Sequence, residues 1–221
     1  KPGFSSGKAL IFVGLDGTNM IGIDAGANEA FNASDVQTAL SDIPQDAVMV
    51  VEMGLPVEAC RAALESKGSR FLIFNPAPVR VHLSEAEYRS IDIITPNETE
   101  AEELTGLKVT SVDEAFEAAK WLYSSGVAAV AITLGQNGVV YLDGERHIYQ
   151  SAYPVDAIDT TGAGDAFNGA LATEIAKGRI VEDALSFAVA SASLSVTRKG
   201  AQQSMPTEAE VRQFLIERGD K

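Results

Sequence analysis

The chain has 221 residues, 46% of them hydrophobic and 22% charged, which is enough for one well-filled core. Its net charge of -14 argues against nucleic acid and anionic membrane as main partners, because both need basic surface. With two histidines and one cysteine, no Cys/His zinc cluster can form, and a histidine-dependent hydrolase triad is poorly supplied.

The first stretch, KALIFVGLDGTNMIGIDAG, reads as two apolar segments around a Gly/Asp/Asn turn at 15–19, which is a hairpin signal. Short apolar runs then alternate with helical patterns. Residues 47–53 predict a strand, and 56–67 a helix with Pro56 at its start and Gly68 past its end. Residues 71–74 and 91–94 predict short strands. Over 111–125 the residues Val112, Ala115, Phe116, Ala119 and Leu122 fall on one helical face, and Ser111 with Glu114 fits a capping box. Residues 128–134 predict a buried strand, followed by a hairpin through 139–142. Thr207 and Glu210 form a second capping box before the last helix. This alternation implies a mostly parallel sheet covered by helices on both faces. The expected organisation is a β appendage at 1–24 and an α/β domain at 25–221.

No apolar run approaches membrane-spanning length; the best, 127–134, is strand-sized. Cys60 has no internal partner, which fits a reducing compartment, and a cytoplasmic location is expected. Cys60 reads as a small apolar helix residue, Trp121 as core or half-core, and His82 and His147 as surface or strand-edge residues.

The chemistry centres on DTTGAGDAFNGA, residues 159–170. Three small residues, Gly162, Ala163 and Gly164, precede Asp165, and a helix follows with Phe167, Leu171 and Ile175 at helical spacing. The first turn of a helix has unpaired N–H groups and partial positive charge, and small residues let an anion approach them. An aspartate in that turn stays ionised and can accept a proton. Charge stabilisation plus a base is what phosphoryl transfer to an alcohol requires. Alone, the pattern also fits an aspartate that merely caps a helix after a glycine turn. A dinucleotide fingerprint fits less well, since the third glycine is missing and Asp183 starts a helix, and no Walker loop is present.

The surrounding motifs favour the chemical reading. DTTGAGDAFNGAL resembles the second signature of the PfkB carbohydrate kinases. IITPNETEAEELTG (93–106), FNPAP (74–78), TLGQNG (133–138) and VTRKGAQQS (196–204) are similar to the ribokinases of that family, in the same order and essentially end to end. The resemblance implies a three-layer α/β/α ribokinase-like fold with a remnant of a small β lid. It implies an ATP-dependent sugar kinase, with ribose the favoured sugar and another sugar or a nucleoside the alternative. A non-catalytic nucleotide- or sugar-binding fragment is the reading from a different class. Asp165 would be the catalytic base, and Gly162, Ala163 and Gly164 the anion hole. Asn97 and Glu100 would lie near the phosphates and help hold Mg²⁺, Glu100 through water. Thr133, Gly135 and Gly138 match the family's nucleotide loop, and Val189 a position beside the adenine. Asp159, the carbonyls of Thr161, Ser195, Arg198 and Gly200, and the Ser204 hydroxyl match a monovalent-cation site suited to K⁺. Ala9, Ile11 and Ile23 match apolar lid positions over the sugar, and pairing of such lids implies a homodimer.

Two departures qualify the sugar. The chain starts at Lys1, after the family's N-terminal strands and Gly-Gly sugar motif, so a fragment or processed product is expected, with most direct sugar ligands outside it. In VVEMGLP (50–56) the ribokinases usually carry Gln-Leu-Glu; alignment on Pro56 puts Glu52 at the glutamine and Gly54 at the glutamate.

Overall fold

A computed structural model describes residues 2–13 and 19–219. Strands β1 (Lys8–Val13) and β2 (Asn19–Asp24) pair antiparallel, with Ala9 opposite Ile23. The predicted turn at 15–19 lies almost wholly outside the described residues. Leu10, Phe12, Met20 and Ile23 of this hairpin are exposed.

The main sheet is built from β3 (Val48–Glu52), β4 (Phe71–Asn75), β5 (Ile93–Ile94), β6 (Ala129–Thr133), β7 (Val139–Asp143) and β8 (His147–Gln150), in that spatial order. The first four run parallel, and β7 and β8 continue antiparallel. Because side chains alternate along a strand, each strand feeds two cores. Leu72 and Phe74, Val130 and Ile132, and Val140 and Leu142 pack on one face. Ile73, Ala129 with Ala131, and Val139 with Tyr141 pack on the other.

Helices α1 (Ala33–Ser41), α2 (Val57–Glu65), α4 (Glu98–Thr105) and α5 (Val112–Ser124) cover the first face, with the short α3 (Glu85–Tyr88) beside them. Helices α6 (Ala163–Ala176), α7 (Val181–Ser195) and α8 (Glu208–Glu217) cover the second. The three-layer α/β/α arrangement follows. No described helix is long and apolar enough to cross a membrane.

Several local expectations are met with altered detail. Pro56 caps α2, and Thr207 with Glu210 closes a full capping box on α8. At α5 only half the box forms. Ser111 accepts from the Glu114 N–H, but the Glu114 carboxylate turns to the Thr110 N–H and hydroxyl. Cys60 is buried, His82 and His147 are exposed, and Trp121 is 41% exposed, a partly wetted residue and no core member.

Candidate active site

The carboxyl ends of the parallel strands form one rim. Glu52 ends β3 in register with Asn75 at the end of β4, and Phe74 is in register with Ile94 of β5. The chain leaving β5 passes through Thr95 and Pro96 to Asn97, which forms a single parallel bridge with Thr133 at the end of β6. Ligands of open α/β sheets bind at such a rim.

Asn97 and Glu100 are joined by a reciprocal capping box on α4. Asn97 Oδ1 accepts from the Glu100 N–H at 2.9 Å, and Glu100 Oε2 accepts from the Asn97 N–H at 2.9 Å. Glu100 is buried, and burial raises its pKa, helped by the charges of Glu52, Glu103 and Glu98. Beyond β6 the chain makes a tight loop in which the Leu134 N–H donates to the Gly138 carbonyl at 2.7 Å. Gly138 has φ +100°, and a Cβ there would collide with the Gln150 carbonyl, so the nucleotide-loop motif demands glycine at this point.

Gly162 caps α6 in the left-handed region at φ 83° with no side-chain cap. The Ala163 N–H donates to the Thr160 carbonyl at 3.2 Å. Among the described residues the Gly164 and Asp165 N–H groups have no acceptor, so of the three predicted anion-hole residues it is the turn at Gly164 that opens outward. A Cβ on Gly164 would meet nothing within 4 Å.

A cleft of about 550 Å³ runs from Asn97, Glu98, Thr133, Gly135 and Gly138 to Ala163 and Gly164. Its lining also includes the apolar Pro154, Val155, Val189, Ala192 and Val196, with Thr160 and Ser193 among them. Five of the predicted nucleotide residues and Gly164 therefore share one cavity, with Val189 buried in its wall.

Asp165 sits beside this cleft, toward the end of β3. It is exposed, yet neighbouring atoms partly desolvate its carboxylate and raise its pKa. Glu52 is also raised, by burial first and then by the nearby Asp165 charge, although the Gly54 N–H and Arg80 oppose this. Sequence reasoning treated Glu52 only as a departure in the sugar motif. The rim brings it within electrostatic reach of both Asp165 and Glu100.

Desolvated carboxylates of one sign call for a cation. Among the described residues no three metal-ligating side chains converge closely enough to hold one directly. This donor set fits Mg²⁺ held mainly by phosphate oxygens and water, with Glu100 acting through water.

Asp159 ties the glycine turn to the segment after α7. Its carboxylate accepts from the Gly200 N–H at 2.9 Å and the Thr161 N–H at 3.0 Å, which together hold its pKa low. The Ser195 carbonyl already accepts from the Arg198 N–H, and Ser204 is fully buried with its hydroxyl donating to the Ala201 carbonyl. The anionic Asp159 and these hard oxygens fit a monovalent cation by chemistry.

Ala9, Ile11 and Ile23 lie on one face of the hairpin and are exposed, so they are not buried against the Asp165 turn. Residues that sequence reasoning missed include Glu98 and the Pro154–Val155 wall, which no motif flags. Also missed was Asn168, a buried amide one turn beyond Asp165 on α6.

The chain matches the model of the pfkB family carbohydrate kinases over residues 1–208. It is 38% identical to a ribokinase of Haemophilus influenzae over 95% of this chain and 69% of that protein. It is 34% identical to a deoxyribokinase of Salmonella typhi over 97% of this chain and 71% of that protein. The chain belongs to the pfkB carbohydrate kinase family. Among solved structures, ribokinase from Thermotoga maritima superposes with a TM-score of 0.84 at 34% identity, covering 96% of this chain and 70% of that one. Arabidopsis thaliana ribokinase complexed with ribose and ATP gives 0.82 at 30%, again over 96% and 70%.

Proposed function

We propose that this chain carries the nucleotide-binding and catalytic half of an ATP-dependent ribose kinase. The observation that carries the reading is Asp165 with the unpaired Gly164 and Asp165 N–H groups, directly after a glycine that lines the same cleft as Asn97 and Thr133. Asp165 removes the proton of the attacking sugar hydroxyl, and its raised pKa makes it a better acceptor than an ordinary aspartate. The two open N–H groups receive the charge that builds on the transferred phosphoryl oxygens. The adenine packs against Val189, Ala192 and Val196, an apolar wall that favours stacking over base-specific hydrogen bonds. The Asn97 amide faces the phosphates. Mg²⁺, when bound, would neutralise phosphate charge, and Glu100 and Asn97 would help hold it through water. K⁺, bound at Asp159, would tie the Thr161 carbonyl before the glycine turn to the carbonyls of Ser195, Arg198 and Gly200.

Ribose is favoured over other sugars by the ribokinases among the relatives, and 2-deoxyribose is the competing substrate, because a deoxyribokinase matches nearly as well. The domain division at 24/25 and pairing of two copies through the exposed hairpin belong to the same proposal, as does a cytoplasmic location. The test is a coupled ADP-release assay on the purified full-length protein with ribose, 2-deoxyribose and fructose. Ribose giving the highest kcat/KM supports the reading; no sugar-dependent ADP release sinks it.

A further inference from the structure

Helix α6 carries a polar side chain where its pattern calls for an apolar one. Asn168 is 5% exposed, on a helix whose Phe167, Ala170 and Leu171 are also buried. A buried amide is costly unless its donors and acceptors are met. Here they are. Its Nδ2 donates to the Gly164 carbonyl at 3.0 Å, and its Oδ1 accepts from the Thr95 hydroxyl at 2.7 Å. The amide orientation is fixed by chemistry, because the reverse flip would set Oδ1 against the Gly164 carbonyl oxygen.

Thr95 is itself 2% exposed and held by the sheet. Its N–H donates to the Phe74 carbonyl at 2.9 Å, and its carbonyl accepts from Asn75 Nδ2 at 2.8 Å. The next residue, Pro96, accepts from the Thr133 N–H at 3.0 Å, and Asn97 follows as the cap of α4. Hydrogen bonds therefore link the Gly164 peptide through Asn168 to Thr95, and from Thr95 the backbone continues through Pro96, bonded to Thr133 of β6, to Asn97 at the cap of α4. The Asn168–Thr95 bond joins segments 73 residues apart in sequence.

We propose that Asn168 and Thr95 form a positioning pair that sets the Gly164–Asp165 turn against the Asn97–Glu100 cap. The inference rests on the kinase reading, since that reading gives the spacing between turn and cap its purpose. The peptide of Gly164 is held from behind through its carbonyl. The Gly164 and Asp165 N–H groups, which the first helical turn leaves without an acceptor among the described residues, are thereby kept in place. Neither side chain touches the reacting atoms; both act through the backbone of the turn.

The test compares Asn168→Leu, Thr95→Val and Thr95→Ser with the parent full-length protein, well below each melting temperature. Asn168→Leu and Thr95→Val should each lower kcat by about 10- to 100-fold, the scale of a sub-ångström to 1 Å misplacement, with KM for ATP and ribose changed less than about threefold. Thr95→Ser, which keeps the hydroxyl, should retain most of kcat. The double variant Asn168→Leu/Thr95→Val should be no worse than the poorer single variant, because the two act as one unit. Amide hydrogen exchange supplies a readout independent of turnover: the amides at 166–168 should exchange faster in Asn168→Leu and in Thr95→Val while the cores of α5 and β6 stay protected. If Asn168→Leu fails to fold, Thr95→Val, nearly isosteric, decides. A kcat within twofold of the parent, or unchanged exchange at 166–168, overturns the proposal. A parent with no sugar-dependent ADP release overturns the kinase reading, and the exchange data alone then judge the pair.

Discussion

Two glycines two residues apart should respond to alanine in opposite ways, and the difference separates stability from chemistry. Gly164 lies inside the first turn of α6, has ordinary helical φ, and would place a Cβ in open space. Gly164→Ala should therefore leave stability unchanged or raise it by about 0.4–1 kcal/mol, the usual gain from restricting the unfolded chain at a compatible site. That open space is where an anion would approach the turn. The added methyl should hold the phosphoryl oxygens away from the N–H groups. Removing one oxyanion-type donor costs about 10²–10³ in kcat, so a fall of at least tenfold is expected. Gly162 is the opposite case. Its φ of +83° costs an L-residue roughly 1–2 kcal/mol. Its Cβ would meet Met205 Cε at 3.0 Å, which can swing aside, and Ala201 Cα at 3.3 Å, which is backbone and must shift. Gly162→Ala should lower stability by about 1–3 kcal/mol and lower kcat as the turn moves. Urea titration and steady-state ADP release on the same preparations measure both quantities. A Gly164→Ala protein as stable as the parent and fully active would refute the assignment of that turn to phosphoryl oxygens.

Three further outcomes are expected. Equal ionic strengths of KCl and NaCl should give faster turnover in K⁺, and Asp159→Asn should abolish the difference; equal rates in both salts for the parent contradict the cation site. Asp165→Asn should lower the pKa of Glu52, followed by NMR titration of its carboxyl, because it removes a like charge that raises it. Glu52 has a raised pKa in the folded state, so its contribution to stability is full below its unfolded value and lost as pH rises through the folded one. Glu52→Gln should therefore be at least as stable as the parent at pH 7, and an unmoved Glu52 titration in Asp165→Asn counts against the coupling. Arg212→Ala should destabilise the protein toward the low end of ~3–5 kcal/mol, because Glu174 is fully buried and bound by Arg212 at 2.7 Å, while Lys177 at 3.2 Å remains as a partial partner. A change below about 0.5 kcal/mol would show that Lys177 and solvent already suffice.

Much of the architecture is legible in the sequence because its signals are local. Pro56, the Thr207–Glu210 box and the apolar face of α5 each state an element within a dozen residues. Helix α1 escapes such reading: its start is set by Asn32 and Asp35, and only Val36 and Leu40 are buried along it. Strand β8 alternates between exposed and half-buried residues, and only its pairing with β7 makes it a strand. Within the site, Asp165 and Gly162 stand out because a helix start after a glycine turn restricts residue type, while Gly138 and Asp159 stand out through the family motifs they complete. Glu52 and Asn168 do not. Their significance comes from neighbours far along the chain, Asp165 for one and Thr95 for the other, and no local pattern encodes those meetings. The Glu98 and Val155 walls of the cleft are likewise products of folding.

The central claim is that Asp165 is the base of a sugar kinase, and Asp165→Asn tests it most directly. The substitution keeps the shape of the side chain and removes its ability to take a proton. In the full-length protein, kcat for ribose-dependent ADP release should fall by about 10²–10⁴, with the affinity for Mg·ATP nearly unchanged. Turnover close to that of the parent, under conditions where chemistry limits the rate, would contradict the account.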